Sequence, residues 1–214
     1  MAEEENMSRR RFLAALFKAG ASIPSTWAKE TVSKLPGVPD DARVRTVATP
    51  PGSVSRQNLN EKCTGCQLCI EKCPTKVLRP SVSQYGTDGI MQPVMDFSHG
   101  YCDFECTVCS EVCPTGAITP LSVDDKQSVL IGIAVVSKSI CKEGCSICAD
   151  ICPASAIKMK EDYLNKITDQ DGNVRFRKYP QIEEALCVGC GLCQFKCPAT
   201  PVSAIHVEGY SVHK

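Results

Sequence analysis

The sequence predicts an α+β protein of two small, pseudo-symmetric modules built from short strands and short helices. Three observations predict it. All sixteen cysteines of the 214-residue chain fall in four copies of one pattern. Each copy ends in Cys-Pro, and the proline stops any helix that carries the cysteines. After each copy, beyond a short small or polar stretch, comes an apolar pair: Val77-Leu78, Ala117-Ile118, Ala156-Ile157 and Ala204-Ile205.

The copies read CTGCQLCIEKCP from Cys63, CDFECTVCSEVCP from Cys102, CKEGCSICADICP from Cys141 and CVGCGLCQFKCP from Cys187. Their starts lie 39, 39 and 46 residues apart. Such spacing marks a repeated supersecondary unit. Each unit reads as strand, cysteine loop, one helical turn from the third cysteine to the fourth, then strand. The apolar segments Val129–Val136 and Tyr179–Ile182 supply strands ahead of the third and fourth loops. Four sets of four thiolates match four 4Fe-4S cubanes. The candidate ligands are Cys63, Cys66, Cys69, Cys73, Cys102, Cys106, Cys109, Cys113, Cys141, Cys145, Cys148, Cys152, Cys187, Cys190, Cys193 and Cys197. The chain therefore reads as an electron carrier with no catalytic residues of its own.

Other chemistries fit less well. Disulfide scaffolds do not repeat C-x2-C-x3-C-P four times, and zinc knuckles contribute two cysteines each. No C-x-x-C is followed by His, which removes a c-type haem. The second and third copies share the C-x3-C-x2-C spacing of radical-SAM enzymes, but Cys113 and Cys152 continue the four-cysteine pattern, and the chain lacks room for a barrel. With 24 basic and 24 acidic residues the net charge is zero, so there is no basic face for nucleic acid. There is also no glycine-rich phosphate loop for a nucleotide. Aromatics are 6 % of the chain; a core this thin relies on metal or disulfides for stability. His99, His206 and His213 read as solvated or capping residues, and Lys62, Lys72 and Lys196 as solvated lysines flanking the loops.

Residues 1–28 form a leader. Its Ser8-Arg9-Arg10-Arg11-Phe12-Leu13 resembles the twin-arginine export signature. That implies a periplasmic protein exported with its clusters in place, membrane-associated if the amphipathic segment stays on the chain. The alternative is a cytoplasmic protein with a short amphipathic helix. No stretch approaches the ~18 apolar residues of a transmembrane helix. Residues 29–52, with Pro36, Pro39, Pro50, Pro51 and Gly52, read as a linker. The insert 81–101 reads as a lid over the first clusters, or else as a docking loop for a partner.

Copies one and four share the C-x2-C-x2-C-x3-C spacing, and copies two and three share C-x3-C-x2-C-x3-C. Like spacing suggests that one pairs with four and two with three. The outer module is then 53–80 plus 185–214, the inner module 81–165, and 166–184 a connector. Sequential pairing, one with two and three with four, is the alternative.

The four runs strongly resemble bacterial ferredoxin motifs. That resemblance implies a ferredoxin-like fold of two dicluster modules, in which the fourth cysteine of each run ligates the cluster of the paired run. In the nested arrangement, which resembles the four-cluster subunits of molybdenum oxidoreductases, the sets are Cys63, Cys66, Cys69 with Cys197; Cys187, Cys190, Cys193 with Cys73; Cys102, Cys106, Cys109 with Cys152; and Cys141, Cys145, Cys148 with Cys113. With the arginine leader and Pro50–Gly52 added, the chain resembles the NapG/MauM group of exported ferredoxin-type proteins. That resemblance implies a membrane-bound polyferredoxin or quinol-oxidising subunit as donor and a periplasmic redox enzyme as acceptor. The alternative functions are an assembly or maturation factor, or a structural iron–sulfur subunit of a larger oxidoreductase.

Overall fold

The structure, a computed structural model, describes residues 47–168 and 174–214. The leader and most of the expected linker lie outside these residues. Helix α1 (Arg56–Lys62) runs into the first cysteine loop and is capped by Ser55, whose hydroxyl accepts the Asn58 N–H at 3.0 Å. Helices α2 (Leu68–Lys72), α3 (Val108–Glu111), α5 (Ile147–Asp150) and α6 (Leu192–Phe195) each hold the third cysteine of a copy and stop before the fourth. Between the second and third copies lies α4 (Val123–Ser128). Its cap is Ser122, and Asp124 and Asp125 sit in the first turn, where the helix dipole favours acidic groups.

Three antiparallel strand pairs complete the fold. β1 (Leu78–Pro80) pairs with β2 (Pro93–Met95), β3 (Gly132–Val136) with β6 (Ile205–Gly209), and β4 (Ile157–Thr168) with β5 (Val174–Ile182). The apolar pairs after copies one, three and four lead into or begin β1, β4 and β6. The pair after copy two forms no strand. Its neighbours Pro50, Pro51 and Pro120 have no N–H with which to build a ladder, and one bond remains, Thr119 N–H to Gly52 O at 2.9 Å.

Burial sorts the copies into two cores. The first gathers Leu59, Val77, Leu78, Val94, Met95, Phe97, Ala117 and Ile118; the second gathers Ala134, Ala156, Ile157, Cys187, Cys193 and Ile205. Correspondingly α2 packs on α3, and α5 on α6. The nested pairing, with its outer module 53–80 plus 185–214 and inner module 81–165, is therefore corrected to the sequential one. The physical reason is that the apolar pairs decide which copies share a core, and they do so between neighbours in the chain. The extra residue of copies two and three lies in outward-facing loops, where Glu105 and Lys142–Gly144 are exposed. It is accommodated locally and carries no information about pairing.

Three smaller expectations also change. Residues 48–52 are buried and belong to the first module, so the linker ends before them. Residues 166–184 are no plain connector: most of their described part belongs to the β4–β5 ribbon. His206 is 3 % exposed and His213 half-buried, so neither is a solvated residue. The insert 81–101 is partly core, through Tyr85, Val94, Met95 and Phe97. It also reaches the first cysteine loop, where a Cβ on Gly65 would lie 3.4 Å from that of Met91.

The segment after β6 fastens the two modules together. Arg56 N–H bonds Ser211 O at 3.0 Å, His213 N–H bonds Val54 O at 2.8 Å, and Leu130 and Lys214 exchange both backbone bonds. The His213 ring pairs through Nε2 with Thr49 Oγ1 at 2.8 Å, and Thr49 in turn accepts the Ser53 hydroxyl at 2.9 Å.

Two outcomes follow from this packing. Gly52 has φ +91°, and an added Cβ would stand 2.5 Å from Thr119 O. Gly52→Ala is expected to cost about 1–3 kcal/mol, read as a lower denaturant midpoint of the holoprotein. Burial pushes the His213 imidazole down to about 4 from its usual 6.5. The unfolded chain then binds more protons between those values, so stability falls as pH drops from about 6.5 towards 4. His213→Gln is expected to flatten that part of the stability profile; an unchanged slope refutes the assignment.

Candidate metal centres

Four-cysteine sets form where one loop supplies three thiols and a neighbouring copy supplies the fourth. Cys102, Cys106, Cys109 and Cys73 line one cavity. Cys141, Cys145, Cys148 and Cys197 line a second, and Cys187, Cys190, Cys193 and Cys152 a third. In the remaining set, Cys113 stands close enough to Cys63 and Cys69 to raise both by thiolate repulsion, and Cys66 acts on the same two. The fourth cysteines therefore exchange between copies one and two, and between copies three and four. Cys197 does not join Cys63, nor Cys73 Cys187, nor Cys152 Cys102, nor Cys113 Cys141.

The donor chemistry fits an iron–sulfur body. Among the described residues, no three of His, Cys, Asp and Glu come together closely enough to hold one metal ion. The thiols instead ring cavities whose remaining lining is largely apolar, such as Val77, Leu78 and Met95 around one and Ala134, Ile157 and Val207 around another. Burial is the main force on these thiols, followed by their neighbours' charge. It pushes Cys69 up to about 12, with Cys63, Cys113 and Cys66 adding repulsion. It also takes Cys109 to about 12, with Cys69, Cys106 and Cys73 adding. Cys190 and Cys148 rise to about 11 for the same reasons. Held as thiolates, these groups would need a cationic centre between them, and metal binding would then be coupled to folding.

Backbone donors answer part of that charge. The Sγ atoms of Cys113, Cys152 and Cys197 accept N–H bonds from Ile118 at 3.4 Å, Ala156 at 3.3 Å and Ala204 at 3.3 Å. The sulfur of Cys187 accepts from Ala134 at 3.4 Å. At Cys113, burial is outweighed by hydrogen bonds from Ile118, Thr115 and Ala117, and the thiol falls below its usual value. The apolar pair that ends each copy thus has a second role beyond core packing: in three copies its backbone N–H faces the fourth cysteine. Sequence reasoning saw the pairs and missed that role.

Loop geometry explains why copies one and four look alike. Gly65 and Gln67 have φ of 68° and 64°, and Gly189 and Gly191 have 76° and 75°. Alternating left-handed residues turn successive N–H groups inward. The N–H of Gly65 lowers Cys63, and that of Gly189 lowers Cys187, each against the dominant effect of burial. At Gly191 a second demand applies, because a Cβ there would occupy the Phe97 ring of the other module.

The modules meet at a seam beside these loops. Cys102 N–H bonds Cys190 O at 2.8 Å, Ile131 N–H bonds Val188 O at 3.2 Å, and the Tyr101 and Phe195 rings stand 5.8 Å apart. The sets built on Cys102 and Cys187 are therefore neighbours, while those built on Cys63 and Cys141 lie at the two ends. At one end Cys66 is exposed, and at the other Arg177 donates to Cys141 O at 2.6 Å. Lys62, Lys72 and Lys196 are exposed, as expected. His99 is exposed and pairs with Asp96 at 2.7 Å instead of serving a thiol.

Comparison with known proteins agrees with this division. The 4Fe-4S dicluster domain matches twice, over residues 62–117 and 140–200, once in each observed module. The methylamine utilization ferredoxin-type protein MauM of Methylophilus methylotrophus is 30% identical over 205 residues, covering 92% of this chain and 84% of its own. MauM of Methylobacillus flagellatus is 29% identical, over 73% of this chain and 66% of its own. The ferredoxin-type protein NapF of Escherichia coli K12 is 26% identical, over 75% of this chain and 86% of its own. With paired cysteine loops around thiol-lined cavities and ferredoxin-type relatives along most of its length, the chain belongs to the 4Fe-4S dicluster domain family, as an iron–sulfur electron-transfer protein.

Proposed function

We propose that this chain relays single electrons through four 4Fe-4S clusters. Its sets are Cys63, Cys66, Cys69 and Cys113; Cys73, Cys102, Cys106 and Cys109; Cys152, Cys187, Cys190 and Cys193; and Cys141, Cys145, Cys148 and Cys197, in that order through the molecule. The observation that carries the reading is the contact of Cys102 with Cys190, which makes one row of two dicluster modules. Clusters held there supply reversible one-electron chemistry. The chain's own residues fix each position by four thiolates, keep water from the inner pair by burial, and present N–H groups to sulfur.

The partners are a membrane quinol-linked donor, such as a membrane-bound polyferredoxin, and a periplasmic oxidoreductase as acceptor. On this reading the chain is a member of the NapG/MauM group. Support comes from the Ser8–Leu13 arginine signature and from the likeness to MauM. Export by the twin-arginine route suits a protein that must fold around its clusters first.

Two measurements test this. Anaerobically purified protein is expected to carry about sixteen iron per chain, four for each cubane, and to reduce in one-electron steps followed by EPR. Clusters silent across the accessible range would sink the relay and leave a structural or assembly role. The order of the sets has its own test. Cys73→Ser is expected to alter the same EPR component as Cys106→Ser and to spare the one altered by Cys193→Ser. The nested arrangement requires the reverse.

A further inference from the structure

Lys126 is 6 % exposed. Among residues whose side chains are described, it is the sole buried lysine or arginine. It projects from α4 into the space between the modules, which Cys102, Phe104, Val129, Ile131, Val188 and Cys190 also line. Its Nζ donates to the backbone carbonyl of Asp103, the residue after Cys102. Among the described residues no carboxylate lies within ion-pair distance of it. The nearby acids are engaged elsewhere: the Asp103 carboxylate accepts the Glu105 N–H, and that of Asp125 accepts the Ser122 hydroxyl.

A buried ammonium with one carbonyl acceptor and no carboxylate is costly. What offsets it is the thiolate charge on both sides of the seam. Cys102 of the first module and Cys190 of the second line the same space as the Lys126 side chain.

We propose that Lys126 is a tuning charge for the step between modules, raising the reduction potentials of the two central sites above what their thiols alone would set. The sites concerned are Cys73/Cys102/Cys106/Cys109 and Cys152/Cys187/Cys190/Cys193. Each one-electron reduction adds one negative charge to a site. A fixed cation in a water-poor seam favours that added charge far more than an exposed lysine does. Neither terminal site contributes a cysteine to the space it occupies, so its effect is local. The proposal rests on the reading of the four sets as one-electron centres, and it goes beyond that reading by assigning a role to a residue that holds no cluster.

The test is a chemical redox titration of fully loaded holoprotein, wild type against K126M, K126Q and K126R, followed by EPR. The reductant supplies one electron per site. Gln keeps a donor for the Asp103 carbonyl without the charge, and Arg keeps the charge. In K126M and K126Q two of the four one-electron waves are expected to move to lower potential while two stay. In K126R all four are expected to stay near the wild-type values. Four unmoved waves in K126Q overturn the proposal, and so does a common shift of all four, which would report general loosening. A shift in K126R as large as in K126Q overturns it as well. Loss of iron from K126Q also counts against it, since the side chain would then be holding the sites together. Absence of four waves from the wild-type protein is a different result: it removes the relay reading itself.

Discussion

Each thiol-lined cavity draws three cysteines from one loop and the fourth from its neighbour, and the rest of the molecule follows from that exchange. Neither loop of a pair completes a site alone. The two loops must be brought face to face, and what does so is the short apolar pair after each Cys-Pro together with Leu59, Tyr85, Phe97 and a few residues from β2, β3 and β6. This is why the helices can be as short as one turn. They need not stand by themselves, because their ends are fixed by cysteines whose positions the cavities dictate. The same exchange makes the thiols crowd. Their mutual repulsion, added to burial, must be met by metal, by N–H groups or by Lys126.

The seam shows how two such units become one molecule. Its contacts are few and specific: one backbone bond from Cys102 to Cys190, one from Ile131 to Val188, and the Phe97 ring lying where Gly191 has no side chain. Two of its contacts join main chain to main chain at a cysteine loop, so the distance between the inner sites is held largely by backbone. Those are the least adjustable contacts in a protein. A relay gains from this, because a wider gap would slow every electron that crosses.

Much of the site was legible in the sequence and the pairing was not. The cysteines announce themselves by spacing, and the Cys-Pro signal correctly limits α2, α3, α5 and α6. Val129–Val136 and Tyr179–Ile182 do contain strand residues. The error came from treating loop length as a marker of partnership. Loop length reflects whether residues such as Gln67 and Gly191 take left-handed conformations, a matter settled within the loop. Partnership is decided by which apolar pairs share a core, and all four pairs look alike in sequence. Residues 48–52 misled for a related reason: Pro-Pro-Gly is typical of linkers, yet here Gly52 fits tightly against Thr119. Lys126 carried no signal at all. In Val123–Ser128 it is one polar residue among five, and only the fold reveals that it faces inward.

The order of the chain also governs how the molecule is made. All eight cysteines of the first module lie between residues 63 and 113, so its full ligand complement is synthesised before any cysteine of the second. Nothing in the second half is needed to complete its sites. Yet the first module is closed by some of the last residues of this sequence: Ser211 and His213 fasten onto Arg56, Val54 and Thr49. Early chemistry is thus joined to late closure. Ligands made early are sealed in only once Ser211 and His213 have been made.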